Sequence, residues 1–203
     1  MRYILMTIFS TILLAGCSGD GKPFFMEGRM SDYFPMQVGD TWYYTADGET
    51  IVVRRIGDEI DLSGINCMPV LTSLPPVVTD TLEECWGISE TAFSLYLIAY
   101  RYYPDPPLIV PFDLTSNSPY MYDSFAKKDN NPNSGFRIKG TLSFEGLVTR
   151  TVPAGTFKNC LKLRYDDGSE PYDEYYAPGV GLLDNGDIIL DSAVVGGVKY
   201  GGQ

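Results

Sequence analysis

Short runs of alternating apolar and polar residues follow one another along the chain from about residue 33 onward. Residues 41–45 and 50–56 are typical, because both are rich in aromatic or β-branched residues and they flank Asp47-Gly48. A period of two predicts strands, and the Asp-Gly pair predicts a tight hairpin turn, since both of its central positions need positive φ. About ten to twelve such runs at near-even spacing predict an all-β fold, an antiparallel sheet forming a sandwich, a barrel or an open half-barrel, with little helix.

The middle of the chain leads to further expectations about strand boundaries. Residues 93–103 are the longest apolar run of the body, and their Tyr content favours one long strand over the alternative, a short helix. The prolines at 104, 106, 107 and 111 predict an extended loop with little ladder pairing. Residues 127–135 predict an exposed loop, and residues 136–144 and 146–152 predict two paired strands around Glu145-Gly146.

The chain starts with the pattern of an export signal. Arg2 precedes an apolar run that ends at Leu14, and small residues lead directly to Cys17. A membrane-spanning helix would need about 20 apolar residues, so the run is too short for one. Leu14-Ala15-Gly16-Cys17 resembles the lipobox of bacterial lipoproteins, which implies cleavage before Cys17 and its acylation with chains such as palmitate. A plain secretory signal with an incidental cysteine is the alternative interpretation.

The lipobox implies a layout and a location. We expect a signal peptide at residues 1–16, a flexible tether at 17–32 and a single β-rich domain at 33–203. Several acyl chains hold a protein stably on a membrane, so the body would be lipid-anchored. Ser18 after the lipidated cysteine resembles outer-membrane sorting. The expected location is therefore the bacterial cell envelope, on the outer membrane and facing the periplasm.

Composition narrows the function classes. The chain has a formal net charge of −11 and contains no histidine. An acidic body is repelled by nucleic acid, so we expect no nucleic-acid partner. Without histidine the chain cannot assemble a Ser-His-Asp triad, and zinc and copper sites lose their commonest ligand. We therefore expect no metal, no cofactor and no catalytic residues, and predict that the protein is not an enzyme.

Three cysteines remain beyond Cys17, and an exported compartment permits disulfides. Cys67 and Cys85 are the preferred pair, because a bridge between them would link two neighbouring strands. Cys160 is then expected to be a buried thiol that behaves as a small apolar residue.

Two sets of residues are candidates for binding or chemistry. Tyr96, Tyr100, Tyr102 and Tyr103 could form an aromatic ligand surface, although core packing is the simpler interpretation. Acidic clusters could supply the paired carboxylates of a hydrolase or oxygen ligands for Ca²⁺, but most of them fall at predicted turns, where solvated charge explains them. The clusters are Glu83-Glu84, Asp166-Asp167, Asp173-Glu174 and Asp184/Asp187.

Three segments resemble motifs of uncharacterised bacterial lipoproteins. They are FPMQVGDTWYYT at 34–45, VPAGTFKNCLKL at 152–163 and EYYAPGVGLL at 174–183. The resemblance implies a β-rich envelope lipoprotein and no particular reaction. A looser similarity connects the chain to half-barrel lipoprotein carriers whose curved sheet holds lipid, by fold-level analogy alone. The sequence thus favours a non-catalytic binding or structural module for an unknown protein, glycan or lipid ligand, with a His-free hydrolase using paired carboxylates as the alternative.

Overall fold

The computed structural model describes residues 29–115, 118–129 and 131–202, without the side chains of residues 77, 78 and 132. The expected signal peptide, Cys17 and most of the expected tether lie outside these residues. Across the described part, no helix is long and apolar enough to cross a membrane. A 3₁₀ turn at Met30–Tyr33 precedes a series of antiparallel strands, which confirms the predicted all-β class.

The strands form one large sheet. Their bounds are β1 Thr41–Ala46, β2 Thr50–Ile56, β3 Ile60–Asp61, β4 Asn66–Leu74, β5 Val77–Ile88, β6 Ala92–Leu97, β7 Tyr102–Asp105, β8 Leu108–Pro111, β9 Tyr120–Lys128, β10 Asn131–Val152, β11 Gly155–Asp166, β12 Tyr172–Ala177, β13 Gly181–Asp184, β14 Ile188–Val195 and β15 Val198–Gly201. The order across the sheet is β7-β9-β10-β11-β12-β13-β14-β1-β2-β4-β5-β6-β8, with β15 added to β14 and β3 to β4.

The two edges of this sheet are joined directly by the chain. β7 pairs with β9 and β8 pairs with β6, and only residues 106 and 107 connect β7 to β8. Ser124 Oγ on β9 donates a hydrogen bond of 2.6 Å to Pro106 O in this connection. Tyr102 N on β7 donates one of 3.1 Å to Ile98 O, directly after β6. The edges therefore lie close together, and the sheet curls into a nearly closed barrel.

The first predicted hairpin is confirmed. β1 and β2 pair in register from Thr41 with Arg55 to Ala46 with Thr50. Asp47 and Gly48 occupy the turn with φ of 51° and 74°. Positive φ at both central positions is the geometry whose twist matches that of the flanking strands, and Asp and Gly tolerate it.

The prediction of one strand over residues 93–103 is wrong. β6 ends at Leu97, and the chain then turns through Ala99 and Tyr100, which have φ of 46° and 55°. The expected unpaired proline-rich loop is also wrong, because β7 and β8 contain Pro104 and Pro111 and both pair in the sheet. Both are edge strands, where a missing N–H leaves one ladder position unpaired at little cost.

β10 is one continuous strand rather than the two paired strands predicted around Glu145-Gly146. Its register with β11 shifts between Phe144 and Gly146, and Gly146 has φ of 120°. A bulge of this kind bends and twists a strand without ending it, which lets a long strand follow the curvature of a barrel. The predicted loop at 127–135 is also shorter than expected, because β9 runs to Lys128 and β10 starts at Asn131.

The segment before β1 fills one end of the barrel. Met30, Tyr33 and Phe34 are 4–6% exposed. The Phe34 ring stacks on Phe93 with centroids 4.5 Å apart, and the Tyr33 hydroxyl donates to Asn159 O at 2.8 Å. The packed body thus includes residue 30, ahead of the domain start expected at 33. By packing inside the barrel, this segment closes one end of a cavity within it, the end at which Trp42 lies.

Candidate ligand-binding cavity

A cavity of about 250 Å³ lies inside the barrel-like sheet. Strand residues two positions apart line it, for example Tyr172, Glu174 and Tyr176 on β12, because alternate side chains of a strand point to the same face. Tyr172 is 47% exposed, whereas Trp42 is 3% exposed. The cavity therefore reaches solvent at the Tyr172 end and is closed at the Trp42 end.

Aromatic rings form the closed end. Trp86 meets Phe93 edge-on with centroids 5.3 Å apart, and Phe34 lies 5.0 Å from Tyr176. The Trp42 indole N–H donates to Val180 O at 2.6 Å. The indole N–H of Trp42 is thus satisfied by the backbone, and the rings present mainly hydrocarbon at this end.

One side of the cavity carries an ion pair. Arg54 Nη2 lies 2.6 Å from Glu84 Oε2, and the side chains are 12% and 23% exposed. The Trp86 indole N–H donates to the same Glu84 oxygen at 2.6 Å, and the Arg54 guanidinium carbon lies 5.4 Å from the Trp86 ring centroid. Burial lowers the pKa of Arg54, but Glu84 more than offsets that effect, so the net pKa is raised and Arg54 stays charged.

A second carboxyl, that of Glu174, lines the same cavity. The Tyr176 hydroxyl donates to Glu174 Oε2 at 2.6 Å, and the Tyr165 hydroxyl also hydrogen bonds to this carboxyl. The Glu174 side chain is only partly exposed, and it lines the cavity. Burial therefore raises the pKa of Glu174 above its ordinary value, and neighbouring Glu84 adds to the increase. Burial also raises the pKa of Tyr165 and Tyr176, which keeps both hydroxyls as donors.

The opposite side is aliphatic. It is formed by β6, β8 and β10, whose inward residues include Leu95, Leu108, Val110, Ile138 and Leu142. The charged side chains and the two tyrosines hydrogen-bonded to Glu174 come instead from β2, β5, β11 and β12. The cavity thus has one polar wall and one hydrocarbon wall.

The four tyrosines predicted as a ligand surface do not line this cavity. Tyr96 and Tyr103 pack against a small cluster around Cys67, Cys85 and Leu97. Tyr102 meets Phe136 edge-on at 5.0 Å, and Tyr100 lies 4.1 Å from the Arg101 guanidinium. The four side chains are therefore divided among different contacts rather than collected in one surface.

The structure joins Cys67 and Cys85 in a disulfide that links β4 to β5, and Cys160 is a buried thiol. Burial raises the pKa of the Cys160 thiol. No group of three or more His, Cys, Asp or Glu that could hold a metal is found among the residues that the structure describes. The buried Asp184 carboxylate forms an ion pair with Arg150, whose side chain is partly exposed.

The sequence does not indicate that Arg54, Glu84 and Glu174 line one cavity. Alternation along 172–176 and along 84–86 could have placed Glu174 and Glu84 on the same faces as aromatic residues. Nothing local indicates that the two faces meet, because β5 and β12 are far apart along the chain and the curvature of the sheet brings them together.

Comparisons with known proteins found two similar solved structures. One is a protein from Parabacteroides distasonis ATCC 8503, provisionally described as a lipoprotein, with TM-score 0.49 and 15% identity. The other is a protein from Bacteroides fragilis NCTC 9343, provisionally described as exported and with a YmcC-like fold, with TM-score 0.45 and 18% identity. Each alignment covers 79% of this chain and 97% of the other. These values assign neither a fold family nor a function.

No protein-family model and no curated protein sequence matches the chain.

Proposed function

We propose that this protein is a non-catalytic, lipid-anchored envelope lipoprotein whose barrel binds a small, largely apolar ligand. The cavity of about 250 Å³ is the observation that carries the binding function. Ligand sites are typically concave and mostly apolar, with a few placed polar groups, and the cavity has this make-up. The lipobox at residues 14–17 supports the anchor.

The size of the cavity limits the bound group. A cavity of about 150 Å³ lined by apolar side chains holds one benzene molecule. By that comparison, about 250 Å³ accommodates on the order of ten non-hydrogen atoms. The aliphatic wall of Leu95, Leu108 and Ile138 favours a hydrocarbon over a sugar ring, which would need more hydrogen-bonding partners.

Binding can be tested with tryptophan fluorescence, since Trp42 and Trp86 are the only tryptophans of the chain and both line the cavity. Titration with 1-decanol should change the emission in a saturable way. Ile138→Phe, which adds bulk inside the cavity, should abolish the change. Ile189→Phe makes the same substitution at a position that is 39% exposed and should leave binding intact. Equal responses from both variants would contradict the cavity as the binding site.

The anchor is tested separately. The native protein should carry acyl mass and fractionate with the outer membrane, and Cys17→Ala should remove both properties. A native protein that is soluble and unacylated would contradict the anchored function and leave the cavity function standing.

A His-free hydrolase is the second candidate, because Glu84 and Glu174 line one cavity in different environments. Glu84 is ion-paired with Arg54, whereas burial raises the pKa of Glu174, and two carboxyls in contrasting environments can divide acid and base roles. Turnover of nitrophenyl glycosides or esters that is lost in both Glu84→Gln and Glu174→Gln would favour this candidate. The binding function predicts no turnover by the native protein.

A further inference from the structure

We propose that the ligand of the cavity is an uncharged amphiphile of roughly ten non-hydrogen atoms, with a hydroxyl head group on a hydrocarbon body. The inference rests on the proposed binding function and adds to it the chemistry of the head group. Three features support it: the charge balance of the polar wall, the N–H groups of Arg54 and the position of the aliphatic wall.

Charge balance disfavours an ionised head group. The charged side chains among the described lining residues are Arg54, Glu84 and Glu174. Arg54 is already neutralised by Glu84 at 2.6 Å, so an anionic head would meet two carboxyls and no uncompensated cation. A cationic head would meet Arg54, while Glu84 is already paired with that guanidinium and Glu174 already accepts from the Tyr176 hydroxyl at 2.6 Å. In either case a buried charge would lack a partner, which is strongly unfavourable.

Hydrogen-bonding capacity favours a hydroxyl. Arg54 Nη2 is buried and lies 2.6 Å from Glu84 Oε2 in the ion pair, and this contact does not satisfy all the N–H groups of the guanidinium. The nearby Tyr44 hydroxyl is engaged, donating to Leu182 O at 3.1 Å. The polar wall therefore offers N–H groups of Arg54 beside the oxygens of Glu84 and Glu174. A hydroxyl accepts from the first and donates to the second, whereas an ether or a quaternary ammonium cannot do both.

The layout of the walls places the rest of the ligand. With its head at Arg54, a hydrocarbon chain would run along Leu108, Ile138 and Leu142 toward the open end near Tyr172. Burial of hydrocarbon there contributes about 25 cal/mol per Å² of apolar surface removed from water. The head group then sets selectivity and the chain provides most of the affinity.

The experiment compares three ligands that share one chain and differ in the head group: 1-decanol, decanoate and decyltrimethylammonium. The protein is the full chain carrying Cys17→Ser, so that no acyl group of its own competes for the cavity. Tryptophan emission is the readout, at neutral pH and below the aggregation limit of each ligand. We expect 1-decanol to bind about tenfold or more tightly than either charged ligand, because each of these leaves a buried charge unpaired.

A charge-altered variant sharpens the test. Glu84→Gln leaves Arg54 without its counter-ion, and decanoate should then gain about tenfold relative to 1-decanol. Glu174→Gln keeps the Arg54–Glu84 pair and should keep the preference for 1-decanol. Near-UV circular dichroism verifies that each variant is folded. If Glu84→Gln does not fold, the three-ligand comparison on the protein that keeps Glu84 tests the head-group proposal.

The outcomes distinguish failure of the uncharged head group from failure of the proposed binding function. If none of the three ligands changes the emission, the proposed binding function fails. If a charged ligand binds as tightly as 1-decanol or more tightly, the cavity function stands and the uncharged head group is overturned. A preference for 1-decanol that reverses toward decanoate in Glu84→Gln supports both.

Discussion

Reduction of the Cys67–Cys85 disulfide should lower the stability of the barrel by a predictable amount. The bridge closes a loop with a sequence separation of 18 and joins β4 to β5 next to the cavity strand positions 84 and 86. On the chain-entropy model, a loop of that length contributes about 3 kcal/mol by restricting the unfolded chain. With a urea slope of about 2 kcal/mol/M, the unfolding midpoint should fall by about 1.5 M.

The assay is urea unfolding with and without a thiol reductant, followed by circular dichroism. Oxidised and reduced protein have the same non-hydrogen atoms and differ only in the S–S bond. The measured difference in stability therefore contains no contribution from a removed side chain. The double variant Cys67→Ala/Cys85→Ala is the control and should be insensitive to reductant, because Cys160 is buried and unpaired in the structure. Non-reducing peptide mapping establishes the oxidised state beforehand.

Two results would refute the reasoning. Peptide mapping that finds Cys67 and Cys85 as free thiols would remove the bridge altogether. A mapped disulfide whose reduction shifts the midpoint by less than about 0.3 M would mean that the loop is already restricted in the unfolded chain.

Two further changes test the structure. Asp40→Ala should lower the free energy of unfolding in urea by about 2 kcal/mol. The buried Asp40 carboxylate accepts hydrogen bonds from Gly196 N at 2.8 Å and Gln37 N at 3.0 Å, and both donors would lose their acceptor. Asp40→Asn keeps one oxygen and should cost less, so equal losses in the two variants would contradict the role of these hydrogen bonds. Burial raises the pKa of Glu174 from its ordinary 4.5, so its contribution to stability is lost as pH rises from that value through the folded pKa. Glu174→Gln does not titrate and should gain stability relative to wild type as pH rises above 4.5, whereas parallel pH profiles would show that the pKa of Glu174 is not shifted.

Local pattern was sufficient for the fold class and for the first hairpin. Asp47-Gly48 predicts positive φ because of its residue types, and the structure has it. Ala99 and Tyr100 also take positive φ, but neither residue type indicates this, so the turn between β6 and β7 was missed. Likewise the bend near Gly146 resembles a turn in sequence, yet the strand continues because both halves keep pairing with β11.

The cavity could not be predicted for a different reason. Alternation shows which residues share a face, but whether facing side chains fill the space between them depends on how far the sheet curls. Glu84 and Glu174 belong to acidic clusters for which the sequence favours solvated charge, yet both line the cavity from within strands. Their meeting depends on the closure of the barrel at residues 106 and 107, which no short-range signal specifies.

The position of the charges is the strongest reason to place function inside the barrel. Arg54, Glu84 and Glu174 stand where well-packed apolar residues would usually be at least as stabilising, since desolvation of a buried ion pair offsets much of its attraction. Such conflicts between residue type and environment are expected at functional sites. The outward tyrosines at 96, 100, 102 and 103 show no such conflict, because each packs against neighbours as any aromatic residue of a sheet does. A ligand that hydrogen bonds to Arg54 and Glu174 would explain why the polar wall is retained, and packing alone would not.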